Sequence, residues 1–242
     1  MDDLSIWYLE RYLEGQHGQV WTELYGIGAR VREDEQTWAD AVAVAQETMA
    51  RVRRNIERLR EELPRIGYRF SRPQRVLVPP PPDVTEQIDR TEATIGAVPL
   101  AFRVFWESIG SVDLSGEHPD WPSGRLDPLM FEASADYYVD TYRDMIEQRV
   151  LTPGEPFELD FAPDDLHKAD ISGGPPYAIR VPNAGVDGIV VWEVHQTTFV
   201  NYLRTAMRFG GLAGLSPAER HGYAALPVPA DVRAVVTRLE PF

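Results

Sequence analysis

The sequence predicts an α+β fold, a mostly antiparallel sheet covered by helices and preceded by an N-terminal helical arm. Three observations predict it. Apolar side chains recur at helical spacing through the first 70 residues, and capped helical patterns alternate with short apolar or alternating runs after residue 83. Between the two lies the run Pro79-Pro80-Pro81-Pro82. The chain therefore divides into a helical arm or hairpin at 1–70, a stiff proline-rich linker at 71–82 and an α+β domain at 83–242.

In the arm, Leu4, Tyr8 and Tyr12 share a face that Gly15 ends, and Val20, Leu24, Ile27 and Val31 continue the pattern. Ala45, Met49, Val52, Ile56, Leu59 and Leu63 alternate spacings of four and three, the seam of an antiparallel hairpin or coiled coil, which Pro64 closes. This arm reads either as a dimerisation or docking element or as a helical layer packed on its own domain. Residues 71–82 suit neither a helix interior nor a central strand; a spacer is expected, with a ligand for an aromatic groove as the other reading.

Asp83 is placed to cap the next helix with Glu86 as its capping-box partner, and Val84, Ile88 and Ile95 mark its buried side. Pro99 opens a second helix that stacks Phe102, Phe105, Trp106 and Ile109 on one face and stops at Gly110. Residues 111–122 read as a loop and 126–131 as a short strand, while Tyr138, Tyr142, Met145 and Ile146 mark a helix. Strands are expected at 157–161, 177–181 and 188–194, the last two joined by a hairpin loop at 182–187. Phe199, Leu203 and Ala206 mark a strongly amphipathic helix ended by Gly210-Gly211. Ser216-Pro217-Ala218-Glu219 is another capped start, and 229–239 reads as a closing helix.

Composition narrows the function classes. The chain has no cysteine, which excludes disulfide frameworks and thiolate metal sites. Met1-Asp2-Asp3-Leu4-Ser5 has no signal-peptide character and no run approaches a membrane span, so a cytoplasmic protein is expected. The net charge of −14 is segregated: residues 1–75 are nearly balanced, whereas 76–242 hold 25 acidic against 12 basic side chains. Residues 111–166 hold 14 acidic groups against Arg125, Arg143 and Arg149. Such a surface repels nucleic-acid backbones and speeds encounter with a basic protein.

His17, His118, His167, His195 and His221 make no zinc-like spacing, so no metal and no cofactor are expected. Neither a nucleophile elbow nor a phosphate-binding glycine loop is present; Ser172-Gly173-Gly174 runs into two prolines. The densest polar cluster, Asp164-Asp165-Leu166-His167-Lys168-Ala169-Asp170-Ile171-Ser172, admits acid/base chemistry, partner binding or simple bracing of a loop. Trp121, between Asp120 and Pro122, reads as a plug at the edge of the core or as an exposed interface anchor.

Glu92, Ile95-Gly96, Pro99, Phe102, Phe105 and Gly110 resemble the signature of the SMI1/KNR4 (SUKH) superfamily, in which an E-x-x-[IL]-G helix end precedes a proline-started helix with aromatic anchors. Asp164-Asp165-Leu166-His167-Lys168, Ser172-Gly173-Gly174, Tyr177 and Pro182 follow, and then Thr198-Phe199-Val200-Asn201-Tyr202-Leu203-Arg204 with Gly210-Gly211. These blocks look like a bacterial branch of that family, and the resemblance spans 83–215. It implies helices against a mostly antiparallel sheet and a non-enzymatic binding module. Many bacterial members act as immunity proteins that neutralise polymorphic toxins, often nucleases, and fungal relatives serve as regulatory scaffolds. The expectation is accordingly an immunity protein that binds a basic toxin domain through Asp120, Trp121, Asp164, Asp165, His167 and Lys168. The alternative is a scaffold that assembles, for example as a homodimer, through its N-terminal helices.

Overall fold

A computed structural model describes residues 7–121, 123–217 and 226–242. The expectations placed on residues 1–5, Pro122, Ala218, Glu219 and His221 lie outside the described residues. Mixed helix and sheet is what the described chain contains, with three small antiparallel sheets. No described helix is long and apolar enough to cross a membrane.

The chain opens with α1 (Tyr8–Leu13), α2 (His17–Ile27) and α3 (Glu35–Arg65), the last started by Asp34, whose side chain accepts the Thr37 N–H at 2.7 Å. All six residues of the predicted α3 seam are buried. They are buried within the same chain, which packs α1, α5 and α8 against α3. Trp21 on α2 donates its indole N–H to Thr48 of α3 at 3.1 Å, which fixes the first layer. Pro64 falls inside the final turn, one residue before α3 ends.

The end of the expected arm forms a short strand, β1 (Arg69–Phe70), and the residues read as a spacer contribute another, β2 (Leu77–Val78). Only the edge position suits a segment so rich in proline, and β2 takes it in the β2-β3-β5 sheet. Next come α4 (Val84–Ile95) and α5 (Leu100–Ser108). Asp83 does precede α4, but it makes no cap with its side chain, which instead accepts from Gln87 at 3.1 Å. The corner between the helices is held from elsewhere. Glu92 accepts the Val98 N–H at 2.9 Å and pairs with Arg103, while the first N–H groups of α5 go to Gly185 O and Val186 O at 3.1 and 2.8 Å. Gly96, at φ +108, lets Pro182 approach so closely that a Cβ there would lie 2.6 Å from the proline ring.

The stretch expected as loop contains β3 (Ser111–Asp113) and β4 (Gly116–Glu117), paired with β2 and β1. The strand expected at 126–131 is shorter: β5 is Met130–Phe131 alone. Backbone groups just before it turn to 211–214 instead, through Gly214 N–H to Leu126 O at 2.8 Å and Leu129 N–H to Gly211 O at 2.7 Å. Then follow α6 (Ala135–Glu147), β6 (Phe157–Ala162), β7 (Tyr177–Val181) and β8 (Val190–Val191), with sheet order β6-β7-β8. The expected strand at 188–194 breaks off at Trp192, whose φ of +68 is incompatible with a ladder.

The remaining helices are α7 (Phe199–Arg208) and α8 (Ala230–Val236). Phe102 is the hub of the core. Its ring centroid lies 5.1 Å from Phe131, 5.7 Å from Phe161 and 5.3 Å from Phe199, joining α5 to two sheets and α7. Beyond α8 the chain runs along α3: Asn55 donates to Glu240 O at 2.9 Å and accepts the Glu240 N–H at 2.7 Å, and Arg54 pairs with the Glu240 carboxylate at 2.7 Å.

Candidate functional site

The loop after β6 is built around two carboxylates. Asp164 accepts the His167 N–H at 2.8 Å and the His167 ring nitrogen Nδ1 lies 2.9 Å from its other oxygen, so the carboxylate starts the turn His167–Ala169 as a helix cap would. Burial pushes its pKa upward, but the hydrogen bonds from His167 outweigh this and hold it below the usual carboxylate value. Gly173 is required beside it, because any side chain would collide with the Asp164 carboxylate. Asp127 is the second carboxylate. It holds the Lys168 ammonium at 2.7 Å and accepts the Tyr177 hydroxyl at 3.2 Å, and the ammonium also sits 4.5 Å from the Tyr177 ring centroid.

That placement decides the role of Lys168. Its side chain is 0 % exposed and that of Asp127 1 %, so the lysine expected to face a partner neutralises a buried carboxylate instead. Trp121 is half-buried, stacked on His118 at 4.0 Å and packed near Tyr68. This is the plug arrangement. His118 accepts the Asp120 N–H at Nδ1, which makes Nε2 the donor to Ile66 O at 2.9 Å. The turn Ser123–Arg125 packs on the turn His167–Ala169, so the two loops singled out in the sequence are neighbours. Asp120, His167, Asp170 and Ile171 are exposed there, with Asp165 half-buried beside them.

Sequence reasoning missed three further arrangements. Asp187, in the β7–β8 connection, accepts from Gly188 N–H at 2.9 Å and Val200 N–H at 3.3 Å, so it caps α7 from outside the helix. Burial raises it to about 6 against hydrogen bonds that favour its charged form. Glu193, His195 and Ser216 form a chain in which His195 Nδ1 lies 2.5 Å from Glu193 and Nε2 lies 2.9 Å from Ser216 Oγ. The order matches a hydrolase triad. However, Ser216 is 2 % exposed, and Pro217 supplies no N–H for the oxyanion that acyl transfer develops; the chain ties the 193–196 turn to the segment after α7. A 21-residue separation between His195 and Ser216 gives no sequence signal. The third is Trp192, concealed in an apolar run that reads as strand. Its indole N–H donates to Glu158 at 2.7 Å.

Among the described residues no group of three histidines or carboxylates is placed to hold a metal ion. A cleft of about 680 Å³ opens beside α1, lined by Trp7, Tyr8, Arg11, Glu23, Asp34 and Asp40 among others, and the bidentate Arg11–Glu23 pair spans its wall. The fold and these sites define a mixed α+β chain whose polar clusters mostly brace its own loops. In comparisons with known proteins, no family model, no curated protein and no solved structure matches the chain.

Proposed function

We propose that the protein is a non-enzymatic, cytoplasmic protein-binding module, an immunity protein of SMI1/KNR4 type that neutralises a basic toxin domain by direct binding. The observation that supports this reading is the segregated charge: 25 acidic against 12 basic side chains in residues 76–242. The interior use of Lys168 and Asp127 agrees with it, because the cluster that could have held acid/base chemistry is tied up in packing. Binding then needs no cofactor and no turnover.

The test uses the full chain as bait in a lysate of the source cell, at low and high salt. A single basic protein is expected, released by salt, that arrests growth when produced alone and no longer does so when this chain is co-produced. Captured proteins that are harmless alone, or whose toxicity the chain does not relieve, sink the immunity reading. A second reading, a scaffold assembling through its N-terminal helices, draws on Trp7, Leu13 and Tyr25, which are exposed around α1 and α2. A dimer lost on Leu13→Glu would favour it.

A further inference from the structure

The outer face of the β6-β7-β8 sheet carries an arrangement that the packing of the chain leaves unused. Register pairs Glu158 with Arg180, Asp160 with Ala178, and Ala178 with Val191, which puts all five on one face. Their neighbours Phe157, Leu159, Ile179 and Val190 point the other way, into the core. Trp192 leaves β8 in the left-handed region and yet reaches Glu158 on β6. Because β7 lies between those strands, with about 4.8 Å to each, the indole lies across the middle strand. Ala178, on the same face, is fully buried. Trp192 itself remains 51 % exposed, with Ile189 and Val194 exposed on the flanking chain.

On the same face, two residues along β6 from Glu158, stands Asp160. Its backbone pairs with Ala178 and its carbonyl accepts the Tyr138 hydroxyl at 2.6 Å, but among the described residues its carboxylate receives no hydrogen bond or ion pair. Arg180, on the same face, is spent on Glu158 at 3.0 Å. Burial, and then the charge of Glu158, push Asp160 up to about 6, as expected of a partly desolvated carboxylate with no counter-charge. β6 also lies in the 111–166 stretch, where 14 acidic groups face three arginines. An exposed aromatic ring beside an uncompensated carboxylate in acidic surroundings has one complementary side chain, the planar guanidinium, which stacks on an indole and hydrogen-bonds a carboxylate at once.

We propose that this face is the docking surface, and that it takes an arginine side chain of a basic protein partner, stacked on Trp192 and paired with Asp160. The inference rests on the partner-binding reading above and moves its anchor from the Asp120/Trp121 loop to the sheet. Aromatic anchors ringed by charge dominate binding energy at protein interfaces.

The probe is a hexa-arginine peptide titrated into the full chain labelled with fluorotryptophan and followed by fluorine NMR, the Trp192 signal being assigned with Trp192→Phe. A saturable shift of the Trp192 signal is expected. Asp160→Asn, which keeps the shape, should weaken the peptide by about tenfold, and Trp192→Ala by as much. The combined Asp120→Asn and Asp165→Asn variant should change it by no more than about twofold. An unmoved Trp192 signal, or equal weakening by the loop variant and Asp160→Asn, overturns the proposal. Should Trp192→Ala lose its fold by circular dichroism, Asp160→Asn decides alone. The two readings fail separately: a toxin held equally by the wild type and Asp160→Asn overturns this face and leaves immunity standing, whereas the absence of any toxin removes immunity while the peptide still tests the face.

Discussion

At Asp187 ionisation is coupled to folding. Its carboxylate caps α7 from a neighbouring loop, yet burial raises its pKa from 3.8 to about 6, so the folded chain holds that proton more tightly than the unfolded one. The sign follows: its contribution to stability is fully present below the unfolded value and is lost as pH rises through about 6. Asp160 adds to the same slope. Asp187→Asn, which keeps an acceptor for the Gly188 N–H, should flatten the fall in thermal midpoint between the two pH values, an effect of about 3 kcal/mol at most; an unchanged slope would show that the carboxylate is ionised throughout. Lys168 poses the opposite case. Lys168→Met would leave Asp127 buried without its cation and should cost about 3–5 kcal/mol in urea unfolding, whereas a loss under about 1 kcal/mol, typical of an exposed pair, would mean that the ammonium is solvated.

At the scale of elements, the α4–α5 corner shows what a short motif secures. Glu92, Gly96 and Pro99 carry no chemistry; they let two helices meet and let the 182–186 loop take up the free N–H groups of α5. Gly96→Ala would place a Cβ against Pro182 at φ +108, and a loss of about 2–3 kcal/mol is expected from denaturant melts; a neutral result would mean that the loop can move away. This corner also marks how far the sequence could be read. The α5 stripe was legible because four large apolar residues repeat at helical spacing and all four are buried. The runs at 126–131 and 188–194 were overextended as strands, since apolar content does not reveal which backbone groups find a ladder partner. Of the candidate site, Asp164 and His167 could be seen to belong together, three residues apart on one turn. For Lys168 the bracing reading holds and the partner-facing one fails, and the sequence does not say which, because its destination is set by a carboxylate 41 residues earlier. Trp192 was invisible as an anchor because nothing local announces a left-handed backbone at a tryptophan.

The whole molecule is organised along α3, whose buried stripe meets α1, α5 and α8 in turn. Polar groups complete that arrangement at its far side. Asn55 matches the backbone of Glu240 as one strand matches another, Arg54 holds the same residue's carboxylate, and Arg204 on α7 reaches Phe242 O at 2.7 Å. Residues 55 and 240 are 185 positions apart. A ribosome therefore presents α3 well before these partners, which follow only after nearly all the intervening residues have been added. Until then the part of the stripe that α8 meets, and the Asn55 amide, wait for their partners. Vectorial synthesis thus leaves the longest helix of the described chain incompletely enclosed while most of its length is made, and transiently exposed apolar surface of that kind is what chaperones shield.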